Sequence, residues 1–215
     1  MLPTLLAALA AIVVADFVSG LGHWFEDTYF RHDTPLIGRV IRANIRHHVA
    51  PWMFARHPWW VNIGSTAALV APLALILALT GHLTLWWGAV LGLLLISNLG
   101  HAWTHRPRRE VPRIVQALWK ARLLQTPEHH RGHHRGAKNT RYCVITNALN
   151  PVLDGLGFWR GLERMIAKLT GVTPRPDPTV LGLPIPEGVL ESARLVTGES
   201  GKPPRGPRSE RPRLS

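Results

Sequence analysis

The chain has 215 residues, with 25 Lys and Arg against 13 Asp and Glu, a formal net charge of +12. That length allows one domain with a tail. A single cysteine, Cys143, excludes an internal disulfide framework and any cysteine-rich zinc or iron–sulfur site. Twelve histidines and nine tryptophans are the unusual counts.

Leu2 to Gly22 is an apolar run with one charge, Asp16. Val61 to Gly81 carries no charge, and His82 to Gly100 has only His82 and Asn98 as strongly polar members. At about 1.5 Å per residue each run is long enough for a hydrocarbon core of about 30 Å. Ala67–Leu79 and Leu83–Leu99 have no polar face, as a soluble bundle would need. Three transmembrane helices are therefore predicted, the last two a hairpin turning at Gly81-His82. The first run has no basic n-region and no clear cleavage site, so it reads as a retained helix rather than a signal peptide.

The loop from His23 to Trp60 carries five arginines, and Arg106 to Arg141 carries ten basic residues against Glu110 and Glu128. The positive-inside rule puts both on the cytoplasmic side, with the N-terminus and Gly81-His82 outside. Trp24, Trp59-Trp60, Trp86-Trp87 and Trp103 fall at the proposed span ends, where amphipathic rings settle. Anchoring to anionic lipid explains most of the charge. Nucleic acid is a poor partner for it, because no nucleic-acid-binding motif accompanies the charge.

On this topology eleven of the twelve histidines lie on one side, His82 being the exception. His101 and His105 are i, i+4, one helical face. His129/His133 and His130/His134 are also i, i+4 pairs, which on a helix make two columns about 100° apart. His47-His48 is an adjacent pair. Imidazole suits iron, copper, zinc and nickel, and eight or more histidines suffice for two metals. His32 and His82 have the bland reading of solvated side chains, and His57 and His129 stand evenly between the two. Asp16 and Asp27 share a helical face with His23, so either can orient that imidazole, although Asp16 is equally well a span-edge residue paired with Arg. Asn98 shares a face with His101 and His105. At a membrane face the obvious substrate is a lipid chain, and the difficult reaction there is oxygen-dependent attack on an unactivated C–H bond. A metal transporter fits poorly, since the middle of each span lacks ligands. A zinc hydrolase fits poorly too, with Glu128 the only acidic neighbour of the main cluster. A non-catalytic metal-binding role stays open. Cys143 reads as packing, with no base nearby in sequence.

Asp16-Phe17-Val18-Ser19-Gly20-Leu21-Gly22-His23-Trp24 with Asp27-Thr28, Arg46-His47-His48 with Pro51, and Asn98-Leu99-Gly100-His101-Ala102-Trp103-Thr104-His105 form a recognisable series. His129-His130-Arg131-Gly132-His133-His134, Tyr142-Cys143 and Gly157-Phe158-Trp159-Arg160-Gly161-Leu162-Glu163 complete it. From about Asp16 to Gly171 the chain resembles the plasmanylethanolamine desaturase (CarF-like) family. It departs from that family at Arg46, Tyr29-Phe30 and Pro58.

The resemblance implies a membrane di-iron lipid desaturase using O2 and two electrons. In the family's eukaryotic members the product is the vinyl ether of plasmalogens, formed from O-alkyl phospholipid. It assigns His23, His47, His48, His101, His105, His130, His133 and His134 as ligands to two Fe ions, with His57 and His129 in a second tier. Asp27 and Asn98 are the expected catalytic or orienting residues. Fatty-acyl desaturation and hydroxylation remain alternatives on the same metal site. The expected partners are a phospholipid in the bilayer and an electron donor such as cytochrome b5 or a ferredoxin.

The expected fold class is an all-α membrane protein: about three transmembrane helices, cytoplasmic amphipathic helices, and a histidine-rich di-metal site at the cytoplasmic face. Residues 1–171 are expected to form the membrane-embedded domain, and the expected compartment is a bacterial inner membrane. Residues 172–215, with nine of the 18 prolines, are expected to form a largely disordered tail, with a short helix over Leu181–Arg194.

Overall fold

The computed structural model describes residues 2–135, 137–185 and 189, and every regular element among them is helical. Three helices are long and apolar enough to cross a membrane: α1 (Leu2–Thr28), α4 (Trp59–Leu79) and α5 (Leu85–Thr104). Between the first two lie α2 (Gly38–Val49) and α3 (Pro51–Ala55). After α5 come a 3-10 turn (Arg108–Glu110), α6 (Arg113–Lys120), α7 (Pro127–Arg131), α8 (Leu149–Gly155), α9 (Phe158–Thr170) and α10 (Pro178–Leu181). The chain is an integral membrane protein of the expected class.

The span boundaries differ from the hydropathy reading at two places. α1 does not stop at Gly22 but runs on to Thr28, so His23 and Asp27 stay on one continuous helix. The third span starts at Leu85, because Thr84 caps it by accepting the Trp87 N–H at 3.3 Å. The preceding hairpin turns at Gly81, whose φ of +71° favours glycine.

α5 is the central helix, packed against both α1 and α4. Ala11 and Ala15 of α1 meet Val90 and Leu94 of α5. Small side chains let the two backbones approach, which is how helices associate in lipid. Trp86 Nε1 donates to the Ala7 carbonyl at 2.9 Å, and Thr66 Oγ1 donates to the Leu95 carbonyl at 2.6 Å. α4 presents Leu69, Leu75, Ile76 and Leu79 outward, as a lipid-facing helix should. α6 is amphipathic: Val115 and Trp119, one turn apart, are buried with Val111, while Arg113, Ile114 and Lys120 are exposed.

One irregular segment shapes the molecule. After α7 the chain returns beside α1 and inserts residues 142–147 into the groove between the helices. Ile145 joins the Ala11–Ala15–Val90–Leu94 cluster. Cys143 lies against Gly20, where a Cβ would sit 2.6 Å from the thiol sulfur. Buried backbone there must find partners. Asp16, fully buried, supplies them: its Oδ1 accepts the Ile145 and Thr146 N–H groups at 2.9 and 3.1 Å, and its Oδ2 accepts the Thr146 hydroxyl at 2.5 Å. Asp16 thus neither orients His23 directly nor pairs with an arginine, the two roles that spacing suggested; a segment 129 residues away takes both its oxygens.

α9 ends at Gly171, which takes φ +74°. The chain beyond it returns to the end of α1, where the Arg175 N–H donates to the Thr28 carbonyl at 2.7 Å. Val189 is buried with Ile41 and Ile45 of α2. Of the short helix expected over Leu181–Arg194, only Leu181 is helical, ending α10. Residues 182–185 are not helical, and most of the rest lies outside the described residues, as does the tail expected to be disordered.

Candidate metal centre

Four separate stretches bring histidines to one end of the three-span unit. α1 supplies His23, and with it Asp27 one turn on. α2 ends in His47 and His48, whose side chains diverge by about 100° and so reach two different places. The last turn of α5 supplies His101, with His105 following its end. α7 and the turn after it supply His130, His133 and His134. His82 lies before the start of α5, most of a span from His101.

The donor atoms fall into two groups, each with all its atoms within 4.8 Å of one another: His47, His101, His105, His130 and His134 in one, and His23, Asp27, His48 and His133 in the other. The groups abut, with imidazole centroids of His48 and His134 4.9 Å apart. All eight histidines singled out from the sequence are in these groups. Asp27 stands among the donors: His48 Nε2 is 3.1 Å from its Oδ1, and His133 Nε2 and His23 Nε2 are 3.3 and 3.5 Å from its Oδ2.

The local helix around the four clustered histidines differs from the two-column reading. Thr126 caps α7 by accepting the His129 N–H at 3.2 Å, and the helix stops at Arg131. Gly132 lets the chain turn under the Arg141 guanidinium, onto which any Cβ would fall. His130 and His134 consequently join one group, His133 joins the other, and His129 turns away to Asn150 at 3.1 Å.

Two observations fit these donors to cations. His130 Nε2 is 2.8 Å from His101 Nε2, 2.9 Å from His134 Nε2 and 3.0 Å from His105 Nε2. A neutral imidazole nitrogen carries one proton or one lone pair, so no protonation scheme satisfies three such neighbours at once. A metal about 2.1 Å from each nitrogen would hold ligands at right angles about 3.0 Å apart. In the second group His23 Nε2, His133 Nε2 and Asp27 Oδ2 are buried without a hydrogen-bond partner. The other ring nitrogens of these two histidines are fixed by backbone: His23 Nδ1 donates to the Tyr142 carbonyl at 3.0 Å and His133 Nδ1 to the Thr140 carbonyl at 2.7 Å. That assignment turns both Nε2 lone pairs toward Asp27, the arrangement typical of metal-binding histidines.

Burial, and then the neighbouring imidazoles, hold His47 and His130 well below the usual histidine range and bring His105 to about 3. These side chains are neutral near pH 7 and keep the lone pair a metal needs. Phe54 packs on His47 and His101 with ring centroids 5.0 and 4.9 Å away. Tyr142 lies 5.1 Å from His133 in the same measure. Both rings wall the imidazoles. A cavity of about 460 Å³ reaches one histidine of each group, His48 and His134, and is otherwise lined by Val49, Lys138, Pro178, Gly182, Leu183 and Ile185.

His57 and His129 lie outside both donor groups. His57 is half-buried beside Phe54, and its carbonyl accepts from Arg106. Asn98 Nδ2 donates to Ser65 Oγ at 2.8 Å, joining α5 to α4. Burial pushes the Cys143 thiol up, which suits packing. Reading the sequence missed the carbonyls of Thr140 and Tyr142, and Asn150, which holds Cys143 through its N–H and carbonyl at 2.9 and 2.8 Å. Backbone acceptors in an irregular segment have no signature in residue type. Motif proximity alone, in the Tyr142-Cys143 pair, pointed toward them.

Three spanning helices ending in two abutting sets of imidazole and carboxylate donors define a membrane protein with a histidine-rich cluster able to hold metal ions. The chain belongs to the lipid desaturase domain family, whose model matches residues 12–177. It is 33% identical over 175 residues to fatty acid desaturase 4-like 2, chloroplastic, of Arabidopsis thaliana, covering 79% of this chain and 62% of that one. It is 32% identical over 179 residues to the plasmanylethanolamine desaturase of Myxococcus xanthus, covering 80% and 63%. To plasmanylethanolamine desaturase 1 of Mus musculus it is 33% identical over 186 residues, covering 80% and 68%. The chain spans less than two thirds of the length of the Arabidopsis relatives. No solved structure matches it.

Proposed function

We propose that this protein is a di-iron lipid desaturase that forms the vinyl ether double bond of plasmalogens from O-alkyl phospholipid, using O2 and two electrons. The observation that carries the reading is the pair of abutting donor groups at the end of a three-span unit, in a chain of the lipid desaturase family. When bound, the two metals supply oxygen activation and removal of hydrogen from an unactivated C–H bond. The chain's own residues hold the donors and keep the centre dry. The Thr140 and Tyr142 carbonyls orient His133 and His23, and Asp27 supplies the one negative charge. Phe54 and Tyr142 shield the imidazoles.

The metal site and the C-terminus lie on the cytoplasmic side of a bacterial inner membrane in this reading, with the N-terminus outside. The excess of Lys and Arg at the site's end of the helices supports that orientation. Two electrons per turnover come from a carrier such as cytochrome b5 or a ferredoxin. Exposed Arg108, Arg109, Arg113 and Lys120 supply a basic rim for an acidic one.

A second reading is desaturation of a fatty-acyl chain, favoured by the names of the Arabidopsis relatives. Lipid mass spectrometry separates the two. A host supplied with ether lipid and a competent electron donor would express the wild type or His101→Ala/His133→Ala. Loss of two hydrogens from an ether lipid, acid-labile and absent in the variant, is the expected result. An acid-resistant loss would favour the acyl chain, and gain of one oxygen would mean hydroxylation. No histidine-dependent change would overturn the enzymatic reading in favour of a metal-binding protein without catalysis.

A further inference from the structure

We propose that Asp16 is a positioning residue for one of the two donor groups, acting through the inserted segment it anchors. The proposal rests on the two-metal reading above. Asp16 lies two helical turns from His23 on α1 and touches no donor atom itself. Both its oxygens hold the backbone and hydroxyl at Ile145 and Thr146. Ser19 Oγ, on the same helix, accepts the Val144 N–H at 3.3 Å. These contacts fix the far end of a segment whose near end carries the Thr140 and Tyr142 carbonyls.

The near end is strained. Arg141, between those two carbonyls, has φ +61°, and Lys138 has φ +50°. A non-glycine residue in this region costs about 1–3 kcal/mol and persists only where surrounding contacts fix it. The left-handed turn at Arg141 separates the Thr140 and Tyr142 carbonyls, which go to two different imidazoles. The contacts that hold it include the Asp154 carboxylate, which accepts the Arg141 N–H at 3.3 Å, the Asn150 side chain on Cys143, Gln125, whose N–H and Nε2 donate to the Ile145 and Cys143 carbonyls at 2.8 and 2.6 Å, and the Asp16 anchor beyond.

The effect is selective. His23 and His133, the two histidines oriented by this segment, belong to the same group, with Asp27 and His48. Among the described residues, no histidine of the other group bonds to residues 140–147. Releasing the anchor therefore loosens one metal position and leaves the five-histidine position in place.

The experiment measures metal per chain by elemental analysis on the full-length protein in nanodiscs, together with maleimide labelling of Cys143, the single cysteine. Wild type is expected to hold two ions with an unreactive thiol. Asp16→Ala is expected to hold about one ion, with Cys143 labelled. Asp16→Asn keeps an oxygen for the Ile145 and Thr146 N–H groups and is expected to keep both ions. Adding His130→Ala to Asp16→Ala should remove the remaining ion. If Asp16→Ala does not fold, Ser19→Ala/Thr146→Val removes side-chain partners of the segment while leaving the carboxylate. It is expected to label faster and to lose metal only from the Asp27 group.

Wild type with two ions and Asp16→Ala also with two overturns this proposal alone, as does equal loss from both groups in a folded variant. An unchanged double variant, with two ions and a protected thiol, overturns it as well. Wild type without bound metal overturns the two-metal reading and this proposal together.

Discussion

His48 and Asp27, on different helices and 21 residues apart, meet with an imidazole nitrogen 3.1 Å from a carboxylate oxygen. The other carboxylate oxygen faces His133 and His23. One anionic side chain therefore joins three imidazoles from three parts of the chain. Asp27→Ala is expected to lose metal from this group and to lower desaturation by more than the roughly 10–100-fold typical of changes behind a ligand. Asp27→Asn, which keeps the shape without the charge, should fall between. An Asp27→Ala protein with wild-type metal content and rate would remove Asp27 from the donor set.

His130 stands at the crowded point of the five-histidine group, with three imidazole nitrogens within 3.0 Å of its own. His130→Ala is expected to empty that group while the Asp27 group retains its ion, and to abolish turnover. Elemental analysis beside a lipid assay tests this; full activity with one ion would mean that chemistry needs only the Asp27 group.

Gly132 and Arg141 form a coupled pair, since any Cβ at 132 overlaps the guanidinium. That side chain also donates to the His129 carbonyl at 3.2 Å. Gly132→Ala should push the guanidinium off the His129 carbonyl and destabilise the protein by about 1 kcal/mol, the net contribution of that hydrogen bond. Arg141→Ala should recover part of that loss in the double variant, giving a non-additive cycle. Additive thermal-unfolding shifts would show that the two positions do not interact.

The buried imidazoles give the metal-free protein an acid sensitivity of definite sign. His105 falls from 6.5 to about 3 on folding, chiefly through burial. Between those pH values the unfolded chain binds a proton that the folded chain does not, so stability rises with pH across this window. His47 and His130 act in the same direction. Chelator-treated protein should lose stability steadily as pH falls from about 6.5 toward 3, and these groups should contribute no pH dependence above it. A stability maximum inside that window in thermal scans would contradict this.

The gathering of histidines at one membrane face was legible in the sequence because spacing and sidedness are properties of the chain itself, His101 and His105 sharing a face of any helix, and the family resemblance narrowed the set to eight. The three spans were legible for the same reason. What escaped depended on where helices end and on contacts far apart in sequence. The partition of His130, His133 and His134 follows from the stop at Arg131 and the passage of Arg141 over Gly132, and neither is periodic. Asp27 could be placed on the face of His23, but the meeting with His48 and His133 needed α2 and the turn after α7 in position. Asp16 was visible as a charge in an apolar run, while its partners at 145–146 carry no mark of their own. Asn98 was singled out as a neighbour on the histidine face, and its amide joins two spanning helices, a contact that its spacing from His101 does not announce.

The Asp16 anchor also orders the protein's assembly. Synthesis proceeds from the N-terminus, so α1 reaches the bilayer before Ile145 and Thr146 exist. Until then its carboxylate lacks the partners it has in the finished protein. A charge without partners in a span is costly, so the nascent helix is incomplete until they arrive. Arrival of the last third of the chain supplies the Ile145 and Thr146 donors. The same segment carries the carbonyls that turn His23 and His133, so the buried carboxylate of the first span and the two imidazoles are satisfied together, by one late closure.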